Sequence, residues 1–194
     1  MHEAEIIPAG ARAGASHLST RPGADEYAPY YGRYIERVPA GDVTQTLEAG
    51  LRDTLALLGS QAARSRADHR YAAGKWSVKE VLGHVIDAER VFAYRALAIA
   101  RGETASLPNM EQDDYAAHAN SNARTLADLV SEFKHVRAST LDLLRHLDER
   151  AWLRRGVVNA KPTSVRALAH IIAGHERHHL KVLRARYLSA LGIV

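Results

Sequence analysis

Four stretches of this chain repeat apolar residues at the three- and four-residue spacing of a helix, and nothing between them alternates β-branched residues over a length that would make a sheet. The first spans about 43–59, where Asp42 stands at the capping position with Gln45 three residues on, Leu47, Leu51, Leu55 and Leu58 repeat, and Gly59 ends the pattern. The second spans about 78–101. Ser77 and Glu80 form an S-x-x-E capping box, Trp76 and Val81 are placed as a hydrophobic staple, and Val78, Val81, Leu82, Val85, Phe92 and Ile99 make the stripe that Gly102 closes. A loop with a short helix at about 111–118 leads to the third, about 125–147, which opens on Thr125 and Asp128. The fourth, about 164–191, begins after Pro162 and Thr163. The sequence therefore predicts an all-α fold, a four-helix bundle over residues 43–194.

Residues 1–42 are broken by Gly10, Gly14, Pro22, Gly23, Pro29, Gly32, Pro39 and Gly41, yet Tyr27, Tyr30, Tyr31, Tyr34 and Ile35 give them an apolar side. This reads as an N-terminal arm, frayed and partly flexible at its start, that packs on the bundle. The absence of cysteine excludes disulfides, thiolate ligands and a cysteine nucleophile. A net charge of +4 is too small for a chain built mainly around nucleic acid. No apolar run approaches the ~18 residues of a membrane span, and no secretory signal opens the chain, so a cytoplasmic location is expected.

The 11 histidines carry most of the functional argument. With His175 as zero on a helix that advances about 100° per residue, Leu168 lies at about 20°, His179 at about 40° and Ile172 at about 60°. His175 and His179 thus sit inside the apolar stripe, one turn apart. His178 falls at its edge, and His170, at about −140°, is expected to face water. Two imidazoles in a buried face need partners, either other protein groups or a shared cation. His84 sits on the shoulder of the second helix and completes a three-histidine set if helices two and four are neighbours. Three protein ligands leave one coordination position open, as in catalytic sites. His2, His17, His69, His118, His135 and His146 fall in loops, in the arm or on polar faces and receive no role.

His175-Glu176-Arg177-His178-His179 also reads as H-E-x-x-H, the zincin signature. The context opposes a metalloprotease: Val182 and Ala185 stand where the extended motif wants Gly and His, and no strands are expected. Glu176 is the candidate catalytic group, as a base or as an acceptor for a ligand's N–H, with an arginine partner as the structural alternative. Asp87 and Arg95 remain unassigned. The outer face of the fourth helix carries Arg166, His170, Arg177, Lys181 and Arg184 without an acid, a stripe for a polyanion or for acids packed against it.

Trp76-Ser77 followed by Glu80-Val81-Leu82-Gly83-His84-Val85-Ile86-Asp87, the segment Gly174-His175-Glu176-Arg177-His178-His179, and the arm from Arg21-Pro22 through Tyr30-Tyr31 together resemble the DinB-like superfamily of metal-binding four-helix bundles. The resemblance covers most of the chain from about residue 21. It implies one divalent metal ion per chain, zinc or nickel, on His84, His175 and His179. It further implies a homodimer and a small-molecule substrate such as a low-molecular-weight thiol, acted on by transfer or hydrolysis.

Overall fold

The computed structural model describes residues 16–189. Residues 1–15, which include His2 and the expected frayed start of the arm, lie outside it, as does the end of the fourth predicted helix. Four long helices form where the periodicity placed them: α2 (Val43–Leu58), α4 (Val78–Ala100), α6 (Leu126–Arg145) and α8 (Val165–Val182). Shorter helices precede or separate them: α1 (Gly32–Ile35) in the arm, then α3 (Gln61–Ser65), α5 (Gln112–His118) and α7 (Glu149–Trp152) in the connections. The caps are those the sequence announces. Asp42 accepts from the Thr44 N–H at 2.7 Å, Ser77 and Glu80 exchange both bonds of the capping box, and Thr125 accepts from Asp128. No helix among the described residues is long and apolar enough to cross a membrane.

The helices pack in an order that chain order does not suggest. The main contacts are α2 with α6, α6 with α4, α4 with α8 and α8 with α2, so consecutive helices α2 and α4 face each other across the bundle. Direction follows from the core. One apolar cluster takes the beginnings of α2 and α8 and the ends of α4 and α6 (Leu47, Phe92, Ile99, Leu144, Leu168). A second takes the opposite ends (Leu58, Val81, Leu82, Phe133, Leu183). Thus α2 and α8 run one way and α4 and α6 the other. Between the two clusters every long helix places polar groups indoors: Thr54, His84 and Glu89, Arg137, His175 and Glu176 are all buried.

Three expectations need correction. First, a small sheet exists: β1 (Arg155–Val158) and β2 (Lys161–Ser164) pair antiparallel, joined by Asn159 and Ala160, both at positive φ. The sequence hides this hairpin because Ala160 stands where a glycine would normally mark the turn and Pro162 interrupts the second strand. Second, α8 ends at Val182 and the chain continues as a wider π-helical turn, Leu183–Leu188. Third, His170 is not at the surface. It is 2% exposed, and its Nδ1 bonds to the Arg166 carbonyl at 2.9 Å.

The arm explains the last point and also dismantles the basic stripe. Its helix α1 lies along α8, while its short 3-10 turns pack on α2, α7, β2 and α1. Arg21 donates to the Ile35 and Val38 carbonyls, Arg166 pairs with Glu26, and Arg177 donates to the Arg37 carbonyl. Gly174 permits this docking, since a Cβ there would collide with the Tyr34 carbonyl. The face that helical geometry assigned to water is largely the arm's binding surface.

Candidate metal centre

Packing of α4 against α8 brings His84 beside the pair on α8. His84 Nε2 lies 3.0 Å from His175 Nε2, and His179 Nε2 lies 3.1 Å from the same atom. Ring centroids in the trio are 4.5–4.9 Å apart. An imidazole nitrogen carries either one hydrogen or one lone pair in its plane. His175 Nε2 therefore has one bond to offer and two neighbours to satisfy, so hydrogen bonding alone leaves this cluster frustrated.

A shared cation would resolve that frustration. Nitrogens bound to one tetrahedral zinc at ~2.0–2.1 Å stand roughly 3.3 Å from one another, close to the spacing in the cluster. Burial, followed by the neighbouring imidazoles, holds His175 well below its usual pKa, and burial likewise lowers His179. Burial brings His84 down to about 4. The rings are consequently neutral at physiological pH, the state in which imidazole ligates a metal. His84 Nδ1 is buried without a hydrogen-bond partner among the described residues, a departure from the usual ligand histidine, whose second nitrogen is anchored.

His84 and His175 open onto a cavity of about 440 Å³. Its walls come from the arm (Tyr31, Tyr34), from α4 (Phe92, Arg95) and from the hairpin (Lys161, Thr163). Tyr34 packs edge-on against His175 at 5.2 Å and against His178 at 5.5 Å. His178 is half-buried next to His179. The sequence expected an arm that packs on the bundle, but gave no signal that Tyr34 would cover a histidine cluster.

Glu176 is placed differently from its neighbour. Its Oε2 accepts from Arg137 at 2.8 Å and its Oε1 accepts from the Thr54 hydroxyl at 2.6 Å. Arg137 in turn makes two bonds to Glu89 and donates to the Leu47 carbonyl, so one guanidinium ties together all four long helices. Arg137 is held protonated, its neighbouring carboxylates outweighing burial, while burial and the nearby Glu89 push the Glu176 carboxyl above its ordinary value. The arginine partner weighed as the structural alternative for Glu176 is thus present. Arg137 did carry a readable signal: with Phe133 and Leu141 it forms an i, i+4 series down a buried face. Asp87 is half-buried beside Arg90 at 3.7 Å, outside the cavity, and Arg95 lines the cavity.

Residues 46–183 match the model of the DinB superfamily. No curated protein matches the chain. Among solved structures it is similar to YfiT from Bacillus subtilis, described as a probable metal-dependent hydrolase with an unusual four-helix bundle topology. That match has 15% identity, a TM-score of 0.62, and covers 90% of this chain and 92% of that one. It is also similar to the mycothiol-dependent maleylpyruvate isomerase, at 14% identity and TM-score 0.62, covering 81% of this chain and 63% of that one. A third likeness is to the DinB-like protein YjoA of B. subtilis, at 19% identity and TM-score 0.57, covering 79% of this chain and 94% of that one.

Proposed function

The chain belongs to the DinB superfamily, and from that premise we propose a metal-dependent enzyme acting on a small molecule. His84, His175 and His179 hold one divalent ion, zinc or nickel. The convergence of three neutral ring nitrogens that cannot all bond to one another supports this most directly. A divalent ion on such a set lowers the pKa of a thiol or of water, which suits thiol transfer or hydrolysis.

The chain's own residues supply the setting. Tyr34 and Phe92 wall the site with rings and limit water at His175. Glu176 acts as a positioning residue. Its carboxylate is committed to Arg137 and Thr54, and through them it fixes the rotation of the α8 turn that carries His175 and His179. The similarity to a hydrolase and to a thiol-dependent isomerase supports a reaction at this cavity, with a low-molecular-weight thiol as substrate class. A homodimer in a soluble compartment, the cytoplasm, completes the reading. Light scattering of the eluting protein tests the dimer.

The decisive experiment is metal analysis by plasma mass spectrometry on the full chain, joined to a screen of thiols with electrophilic acceptors. Near one divalent ion per chain, its loss in His175→Ala, and turnover that follows metal content are expected. Metal content unchanged by His175→Ala would remove the assignment. Full metal loading with no turnover on any thiol or ester would leave a metal-stabilised bundle instead.

A further inference from the structure

Arg95 lies on α4 and lines the cavity with only 2% of its surface exposed. One of its terminal nitrogens donates to the Pro108 carbonyl at 2.6 Å, and its guanidinium sits 5.5 Å from the centre of the Phe92 ring. Among the described residues no carboxylate comes within ion-pair distance of it. Arg137, the other buried arginine of the bundle, has two carboxylates. A buried charge without a counter-ion is costly, and a buried arginine is ordinarily paired. Burial accordingly pushes the Arg95 guanidinium below its ordinary pKa. Tyr31 is its other polar neighbour, and the cavity, whose volume of about 440 Å³ suits a small organic molecule, is the side from which a counter-ion can reach it.

We propose that this cavity binds a small molecule bearing a carboxylate, which pairs with Arg95 while its apolar body lies against Phe92 and Tyr31 and its other end reaches His175. The inference rests on the reading of the cavity as a substrate site. It adds the chemical class of the substrate and a residue that selects it. A single guanidinium balances one negative charge, and its planar fork matches a carboxylate. The exposed Lys161 in the lining favours an entering anion, whereas the exposed Glu111 and Asp113, also in the lining, disfavour a second negative charge such as that of a phosphate ester.

The test uses benzoate, its neutral isostere benzamide, and phenyl phosphate. Each is titrated calorimetrically into the full chain, both metal-loaded and stripped with a chelator. Benzoate is expected to bind at least about tenfold more tightly than benzamide, the effect of one charge-assisted hydrogen bond, in both forms of the protein. Arg95→Met abolishes that preference without changing metal content, and Arg95→Lys keeps part of it. No saturable benzoate binding, equal binding of benzoate and benzamide, or tighter binding of phenyl phosphate overturns the proposal. So does a preference that survives in Arg95→Met. A carboxylate preference seen only in the metal-loaded protein and indifferent to Arg95 assigns the carboxylate to the ion, overturning this inference while leaving the metal assignment intact. An Arg95-dependent preference in a chain that takes up no zinc or nickel when these are supplied supports this inference and removes the metal assignment. Should Arg95→Met not fold, the wild-type comparison and Arg95→Lys decide.

Discussion

Two buried polar clusters meet at adjacent residues of α8, and they are built on opposite principles. Around Glu176 the charges are closed: Arg137 bonds to Glu89, Glu176 and the Leu47 carbonyl, and Thr54 takes the remaining Glu176 oxygen. Around His175 the donors are open. Three ring nitrogens converge with too few protons and lone pairs to satisfy one another, and one side faces a cavity. The closed cluster fixes how the four helices sit, and the open one waits for something from outside. A satisfied buried network is a structural device, whereas an unsatisfied one beside a cavity calls for an outside partner, which is the basis of the proposed metal site.

Arg137→Leu should break the closed side most severely. It leaves Glu89 and Glu176 buried without a cation, a loss of about 3–5 kcal/mol in urea unfolding of the metal-free protein. An unaltered urea midpoint would show that the arginine does not hold the helices together. Stripping the metal tests the open side. Protein held at a hundredfold excess of free ion over its Kd should lose about 2.7 kcal/mol on chelation, read as a fall in melting temperature, and His84→Ala should remove the difference.

Acid should act next, and only on metal-free protein. His84 and His170 titrate at about 4 when folded and near 6.5 when unfolded, so the unfolded chain binds more protons as pH falls. Their stabilisation is complete above 6.5 and declines toward 4. The decline is about 1 kcal/mol per histidine between pH 6.5 and 5.5, measurable by denaturant unfolding at both values. Constant stability across that window would mean the rings are not desolvated as described. The smallest effect belongs to Glu176→Gln. The closed cluster carries two carboxylates on one arginine, and removing one charge from it should cost about 1 kcal/mol and leave metal affinity unchanged. Loss of turnover with full metal loading in that variant would transfer Glu176 from positioning to the reaction itself.

Legibility in the sequence followed the range of the interactions. Helix starts, three N-caps and the shared face of His175 and His179 rest on residues within a turn or two of one another, and local spacing shows them. The hairpin was hidden because its turn uses Ala160 at positive φ, a conformation the sequence does not advertise. His170 is buried against its helical angle because that angle tells which side a residue takes, not what covers that side. Here the cover comes from the arm, about 140 residues earlier in the chain.

The amino-acid order by itself determined four amphipathic rods, where they start, and a pair of imidazoles stacked on one of them. Only the tertiary structure decided that α4 lies beside α8, that Arg137 finds two acids while Arg95 finds none among the described residues, and that the arm and hairpin wall the cavity at His84 and His175. The physical reason is that periodicity encodes which face of a helix avoids water. The choice of neighbour depends on how two apolar cores fill from both ends and on connections long enough to cross the bundle, terms no local window contains.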